Sequence, residues 1–205
     1  MDSLNISMLT ICGLEELEQH FAMPVTHVLS ILDPEHPDPV IFGNRPQLTR
    51  TVLRFHDAIQ TTPGQILPER THVEQILDFG TGLKSAAEQQ GAHLLVHCHA
   101  RISRSSAAMT TLIAQLEPHR TSDDILDQIV TIRAKAWPNL RMIEAADGLL
   151  GRDGTLVSAV SRLYALQLDR FPNIADFMHK NGRGREVELA LAARAAQSSP
   201  PARGA

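Results

Sequence analysis

A thiol and a guanidinium stand six positions apart in the stretch Leu94-Leu95-Val96-His97-Cys98-His99-Ala100-Arg101-Ile102-Ser103-Arg104-Ser105-Ser106. The apolar run ends at Cys98, hydroxyl residues flank Arg104, and a helical pattern follows at Met109, Leu112, Ile113 and Leu116. Strand, tight loop and helix in that order make an anion site, because loop amides converge on the ligand and the helix N-terminus adds a favourable partial charge. A cysteine held there is stabilised as its thiolate and can act as a nucleophile. Arg104 can offer a planar fork to two oxygens of a phosphate. The chemistry is cysteine-dependent phosphoryl transfer.

The spacing alone is a weak signal, since arginine is common enough to meet a cysteine at that offset by chance. Its weight comes from the preceding strand, His97, Ser105 and the helix beyond. With these, the segment resembles the phosphate-binding loop of the protein tyrosine phosphatase superfamily, His-Cys-x5-Arg-Ser/Thr. Within that superfamily it is most similar to the small dual-specificity-like tyrosine phosphatases of proteobacteria. The likeness extends to Arg54-Phe55-His56-Asp57 upstream, to Pro138-Asn139, and to Ala146-Asp147-Gly148-Leu149-Leu150-Gly151-Arg152-Asp153-Gly154 downstream. It runs over roughly residues 5 to 170 and stops short of the tail.

The resemblance implies Cys98 as nucleophile, Arg104 as the phosphate grip and Ser105 as the hydroxyl that helps the thiolate leave. His97 would order the loop, and His99, Ala100, Arg101, Ile102 and Ser103 would complete the cradle. The implied reaction needs no metal and no cofactor. A general acid is required on a separate loop, because the departing oxygen needs a proton. Asp57 is the best candidate: it follows a strand and the family places its acid upstream of the cysteine. His56 competes for the role, while Asp33 and Asp38 are weaker alternatives in another loop. Asn139 either lines the pocket or caps its helix, the cap being the simpler role.

One position departs from the family. Where relatives carry glycine three residues after the cysteine, this chain has Arg101, whose Cβ restricts the loop. Arg101 either adds positive charge at the mouth, favouring a polyanionic substrate, or misshapes the cradle and leaves a phosphate-binding pseudophosphatase. A rhodanese-like sulfurtransferase or a thiol-based arsenate reductase also uses a cysteine in an anion loop, but Asp57 and Ser105 suit a phosphatase better. A metal at His97-Cys98-His99 lacks a second ligand cluster at suitable spacing.

The net charge of −4 argues against a general nucleic-acid or anionic-membrane binder. Two cysteines, Cys12 and Cys98, are too few for a disulfide scaffold, so a reduced, cytoplasmic setting is expected. Cys12 ends an apolar strand and reads as core, with a regulatory disulfide to Cys98 as the alternative. No leader and no membrane span are expected, and the partner is a phosphorylated protein or small phosphorylated molecule. Oligomeric state is not legible.

The elements that must hold the site are an α/β phosphatase-like domain over 1–170. Its central, mostly parallel sheet is flanked by helices, and its C-terminal half is helical. Strands are expected at 5–12, 26–32, 51–55 and before Cys98, with a helix on the Leu14, Leu17 and Phe21 face. Pro68-Glu69 opens a long helix to about Gln90, within which Gly80 and Gly82 are weak points. Helices follow Ser103, Thr121 (a capping box with Asp124), Asn139 and the Asp153-Gly154 turn. From Phe171 the pattern fades into an extension, 171–205, with a short Ala-rich helix near Glu186 to Ala196 and a disordered end from Ser198.

Overall fold

A computed structural model of the chain describes residues 6–43 and 45–198. Four strands, β1 (Ile6–Cys12), β2 (His27–Leu32), β3 (Thr49–Arg54) and β4 (Ala92–His97), form one parallel sheet in the order β1-β4-β2-β3. β2 and β4 are buried along their whole length, as expected of apolar strands enclosed on both faces. β1 runs one residue ahead of the reactive loop: Cys12 pairs with His97, and the Cys98 amide donates to the Cys12 carbonyl at 3.4 Å.

The helices are α1 (Leu17–His20), α2 (Arg70–Gln90), α3 (Arg104–Leu116), α4 (Ser122–Ile132), α5 (Leu140–Leu149), α6 (Thr155–Arg170), α7 (Ile174–Lys180) and α8 (Gly184–Ser198). The expected Leu14–Phe21 helix is a 3-10 turn, Leu14–Glu16, followed by the single turn of α1. Its apolar residues join Cys12, Val28, Phe42 and Leu95 in a small cluster. Leu29, Ile31, Leu94 and Val96 of the sheet join α2 to α8 in the large cluster.

Gly80 is less a weak point than a contact. A Cβ there would meet the Gln115 side chain at 2.0 Å and Leu112 at 2.9 Å, so α2 lies closely against α3. Gln115 Nε2 uses that approach to donate to the Leu77 carbonyl at 2.8 Å. The Ala146–Gly154 segment is structural. Asp147 accepts from the amides of Gly154 (2.6 Å), Leu156 (2.8 Å) and Val157 (3.3 Å), capping α6 through amides that have no partner inside the helix. Arg152 donates to the Ala114 carbonyl at 2.7 Å, at the end of α3.

The segment after Phe171, set apart by sequence as an extension, packs into the same core. Met178, Val187 and Ala190 are buried in the large cluster with α5 and α6. α8 covers the expected short helix and begins earlier; α7 had no sequence signal. Asn5, where the first strand was expected to begin, and the end expected to be disordered from Ser199 onward lie outside the described residues.

Candidate active site

The loop from Cys98 to Arg104 joins the end of β4 to the first turn of α3. Its carbonyls are tied outward. His99 O accepts from Leu14 N (3.3 Å), Ile102 O from Trp137 N (2.9 Å), and Ser103 O from Asn139 N (3.3 Å) and Ala107 N (2.9 Å). The amides of His99, Ala100, Arg101, Ile102 and Ser103 donate to no backbone carbonyl among the described residues. A loop that ties three of its carbonyls outward and leaves five consecutive amides uncommitted among the described residues has the donors an anion cradle needs. Gly13 lets β1 pass close beneath it, for a Cβ there would lie 2.9 Å from His99 O.

Cys98 opens this loop, buried, with Ser105 Oγ 3.1 Å from its sulfur. Arg104 closes it. Its NH1 donates to Phe55 O (2.5 Å) and to Asp33 Oδ1 (2.6 Å), while its buried Nε bonds to no described residue. That nitrogen is free for an oxyanion while NH1 fixes the plane. Asp33 thereby anchors the guanidinium. It also faces His99, whose Nδ1 lies 3.3 Å from Asp33 Oδ2 and whose Nε2 accepts from Asp33 N at 3.2 Å. Burial, helped by the Arg104 and His36 charges and opposed by Asp33, lowers the His99 pKa. His97 is fully buried, bonded through Nε2 to Ser30 Oγ at 2.7 Å and stacked on Phe42. Burial pushes its pKa down to about 3, so it is an uncharged support at neutral pH.

Arg101 adopts the conformation glycine would have taken, with φ at +59°. Its guanidinium is ion-paired to Glu16, which also binds Arg133 and accepts from Gly13 N at 3.1 Å.

Asp57 lies beyond the end of β3, a third exposed. Its Oδ1 accepts from Ser103 Oγ (2.7 Å) and Asn139 Nδ2 (2.9 Å), and its Oδ2 from Arg183 NH1 (3.0 Å). Burial alone would raise its pKa, but Arg183, Arg104 and the two hydrogen bonds outweigh it and hold the carboxyl below its ordinary value. Asn139 does both things considered for it: Oδ1 caps α5 at Met142 N while Nδ2 reaches Asp57 and, at 3.3 Å, Ala58 O. His56 staples its own loop, accepting from Ile66 N at 2.9 Å and facing Glu35, and does not bond to the cradle. Asp38 is a bidentate partner of Arg50.

Arg183 is the site residue that sequence missed. It sits just before α8, and its signal, Arg-Gly-Arg-Glu in a weakly patterned tail, is no motif. Cys12 packs in the small cluster while Cys98 packs in the large one, and burial pushes the Cys12 thiol up to about 12. That is a core cysteine. Among the described residues no group of three or more His, Cys, Asp or Glu side chains is arranged to hold a metal, and no helix is long and apolar enough to cross a membrane.

No family model and no curated protein matches the chain. Solved structures do match in fold. DUSP15 is 22% identical with a TM-score of 0.50, over 73% of this chain and 86% of that one. Human DUSP28 is 16% identical with a TM-score of 0.53, over 70% and 88%. A human tyrosine phosphatase-like serine/threonine/tyrosine-interacting protein is 18% identical with a TM-score of 0.51, over 72% and 93%. The fold is that of the dual-specificity and tyrosine phosphatases.

Proposed function

We propose that the chain hydrolyses phosphomonoesters through a phosphocysteine at Cys98. The observation that carries this reading is the Cys98–Arg104 loop, with the His99, Ile102 and Ser103 carbonyls bonded outward, five consecutive amides uncommitted among the described residues, a thiol at one end and a buried, half-used guanidinium at the other. A tetrahedral oxyanion would accept from the amides and from Arg104 Nε while the sulfur attacks phosphorus. Charge gathering on the equatorial oxygens of the transition state meets donors already in place. In the first step the S–P bond forms and the P–O bond to the leaving group breaks with its electron pair going to the leaving oxygen, which takes a proton from Asp57 in its protonated form or departs as the anion and is protonated by water. In the second, water attacks phosphorus, Asp57 takes its proton, and the sulfur departs toward the Ser105 hydroxyl. No step calls for a metal or cofactor, and the substrate is a phosphorylated protein or small phosphate ester.

The second reading is a phosphate-binding protein without turnover. It is favoured by the ion pair that ties Asp57 to Arg183, and the fold alone does not decide, since a phosphatase-like interacting protein shares it. Hydrolysis of para-nitrophenyl phosphate by wild type and Cys98→Ser, with reductant and chelator present, separates them. Turnover that vanishes in the variant, with vanadate still bound, is expected. Vanadate binding without wild-type turnover would establish the binding protein, and turnover surviving in Cys98→Ser would remove the thiolate.

A further inference from the structure

Three donors already hold the Asp57 carboxylate, two on Oδ1 and one on Oδ2, and the strongest claim comes from the far end of the chain. Arg183 is 5% exposed, and its three nitrogens are divided: NH1 to Asp57 at 3.0 Å, Nε and NH2 to Glu186 at 2.8 and 2.7 Å. Glu186 has no exposed surface and also accepts from Trp137 Nε1 (2.7 Å) and Leu140 N (3.0 Å). The guanidinium is therefore clamped from behind and cannot swing away from Asp57 without breaking a buried bidentate pair.

We propose that Arg183 is a positioning residue that holds the Asp57 carboxylate ionised and aimed at the cradle, so that the site selects aryl phosphates such as phosphotyrosine over alkyl phosphates such as phosphoserine. This rests on the reading of Cys98 as nucleophile. An ionised Asp57 is the correct form to take a proton from water when the phosphocysteine is hydrolysed. It is the wrong form for the first step, where the breaking P–O bond leaves both electrons on oxygen. A phenol oxygen, with a pKa of about 10, carries that charge away far more readily than an alcohol oxygen. An alkyl ester must wait for Asp57 to gain a proton from solvent or from a substrate entering as its monoanion.

The groups that set Asp57's charge are Arg183 from the start of α8, Arg104 from α3 and His99 from the loop, with Glu186 and Tyr164 behind Arg183. A phosphate dianion held by Arg104 offsets that arginine's influence, and Arg183 is the cation that remains.

The test is a carbon-13 NMR titration of the Asp57 carboxyl in the full chain, with Asp57→Asn for assignment, beside leaving-group profiles of kcat/KM. Arg183→Met/Glu186→Gln removes both members of the buried pair, so no charge is stranded; Arg183→Lys keeps the charge. Wild type and Arg183→Lys should titrate below the ordinary aspartate range. The double variant should titrate higher, and gain on phenyl and alkyl phosphates relative to para-nitrophenyl phosphate by about tenfold for each unit that the measured titration moves. A wild-type Asp57 that titrates at or above the ordinary value overturns the proposal without any variant. So does an unchanged titration in a folded double variant. A low wild-type titration with no turnover of any ester supports the Arg183–Asp57 coupling and overturns the phosphatase reading instead.

Discussion

Arg101→Gly should leave the protein more stable than Arg101→Ala does. Holding a residue with a Cβ at a φ of +59° costs roughly 1–2 kcal/mol, which glycine avoids and alanine does not. Glycine gives back about 0.4–1 kcal/mol because the unfolded chain becomes freer. Both variants lose the Glu16 pair, worth about 0.2–1 kcal/mol because the Arg101 side chain is 44% exposed and Glu16 keeps Arg133. Alanine should therefore fall below wild type by the ion pair alone. Glycine should match wild type or exceed it, standing about 0.5–1 kcal/mol above alanine. For a chain of this length that difference is a few degrees in Tm, at roughly 2–4 °C per kcal/mol, and urea denaturation monitored by circular dichroism resolves it. The glycine variant should also keep its Cys98-dependent turnover, because the backbone shape is unchanged. An alanine variant as stable as the glycine one would refute the strain at position 101.

Two further outcomes follow from charges and caps. Asp147→Ala strips the acceptor from three amides at the start of α6, one of them buried, and should cost about 1–3 kcal/mol, read as a lowered urea midpoint at unchanged slope. Glu16 is held below its ordinary pKa: burial opposes this, but the Gly13 amide, Arg133 and Arg101 prevail. A depressed carboxylate contributes stability that is full above its unfolded pKa of about 4.3 and is lost as pH falls through the folded value, so Glu16→Gln should flatten the acid limb of stability below that pH and leave the neutral region's slope alone. An acid limb as steep in the variant as in wild type would remove Glu16 from the account.

The parts of the site that sequence revealed are those the chain brings together by itself. His97, Cys98, Arg104 and Ser105 lie within one strand–loop–helix, so their types and spacing state their geometry. Asp57 was legible because a polar residue just past a strand end must lie at an edge of the sheet. What escaped were the groups that arrive by tertiary contact: Asp33 reaches Arg104 across 71 positions and Arg183 reaches Asp57 across 126. Neither carries a local signature, because an ion pair needs only one residue at each end. The tail was misjudged for a related reason. Its helix is Ala-rich and weakly amphipathic, with polar Glu186 among its most buried residues, so the hydrophobic period shows a short helix there but not that it joins the core. Asp147 and Arg152 belonged to the family-like segment and turned out to cap and brace helices, which shows that likeness to a family marks fold as readily as chemistry.

The cations around the cradle are each matched by a carboxylate: Arg104 by Asp33, Arg101 and Arg133 by Glu16, and Arg183 by Asp57 and Glu186. Affinity for an anion cannot then come from a surplus of positive charge, in keeping with a chain whose net charge is −4. It has to come from direction. The loop amides and Arg104 Nε are donors with no acceptor among the described residues, already oriented, and a phosphate would satisfy several of them without displacing Asp33 from NH1. A diffuse polyanion gains nothing from such an arrangement, while a tetrahedral oxyanion small enough to enter the loop gains every bond at once. Selectivity for the phosphate group is thereby separated from attraction to negative charge in general, and the remainder of the substrate is left to be chosen by what Asp57 can do for its leaving oxygen.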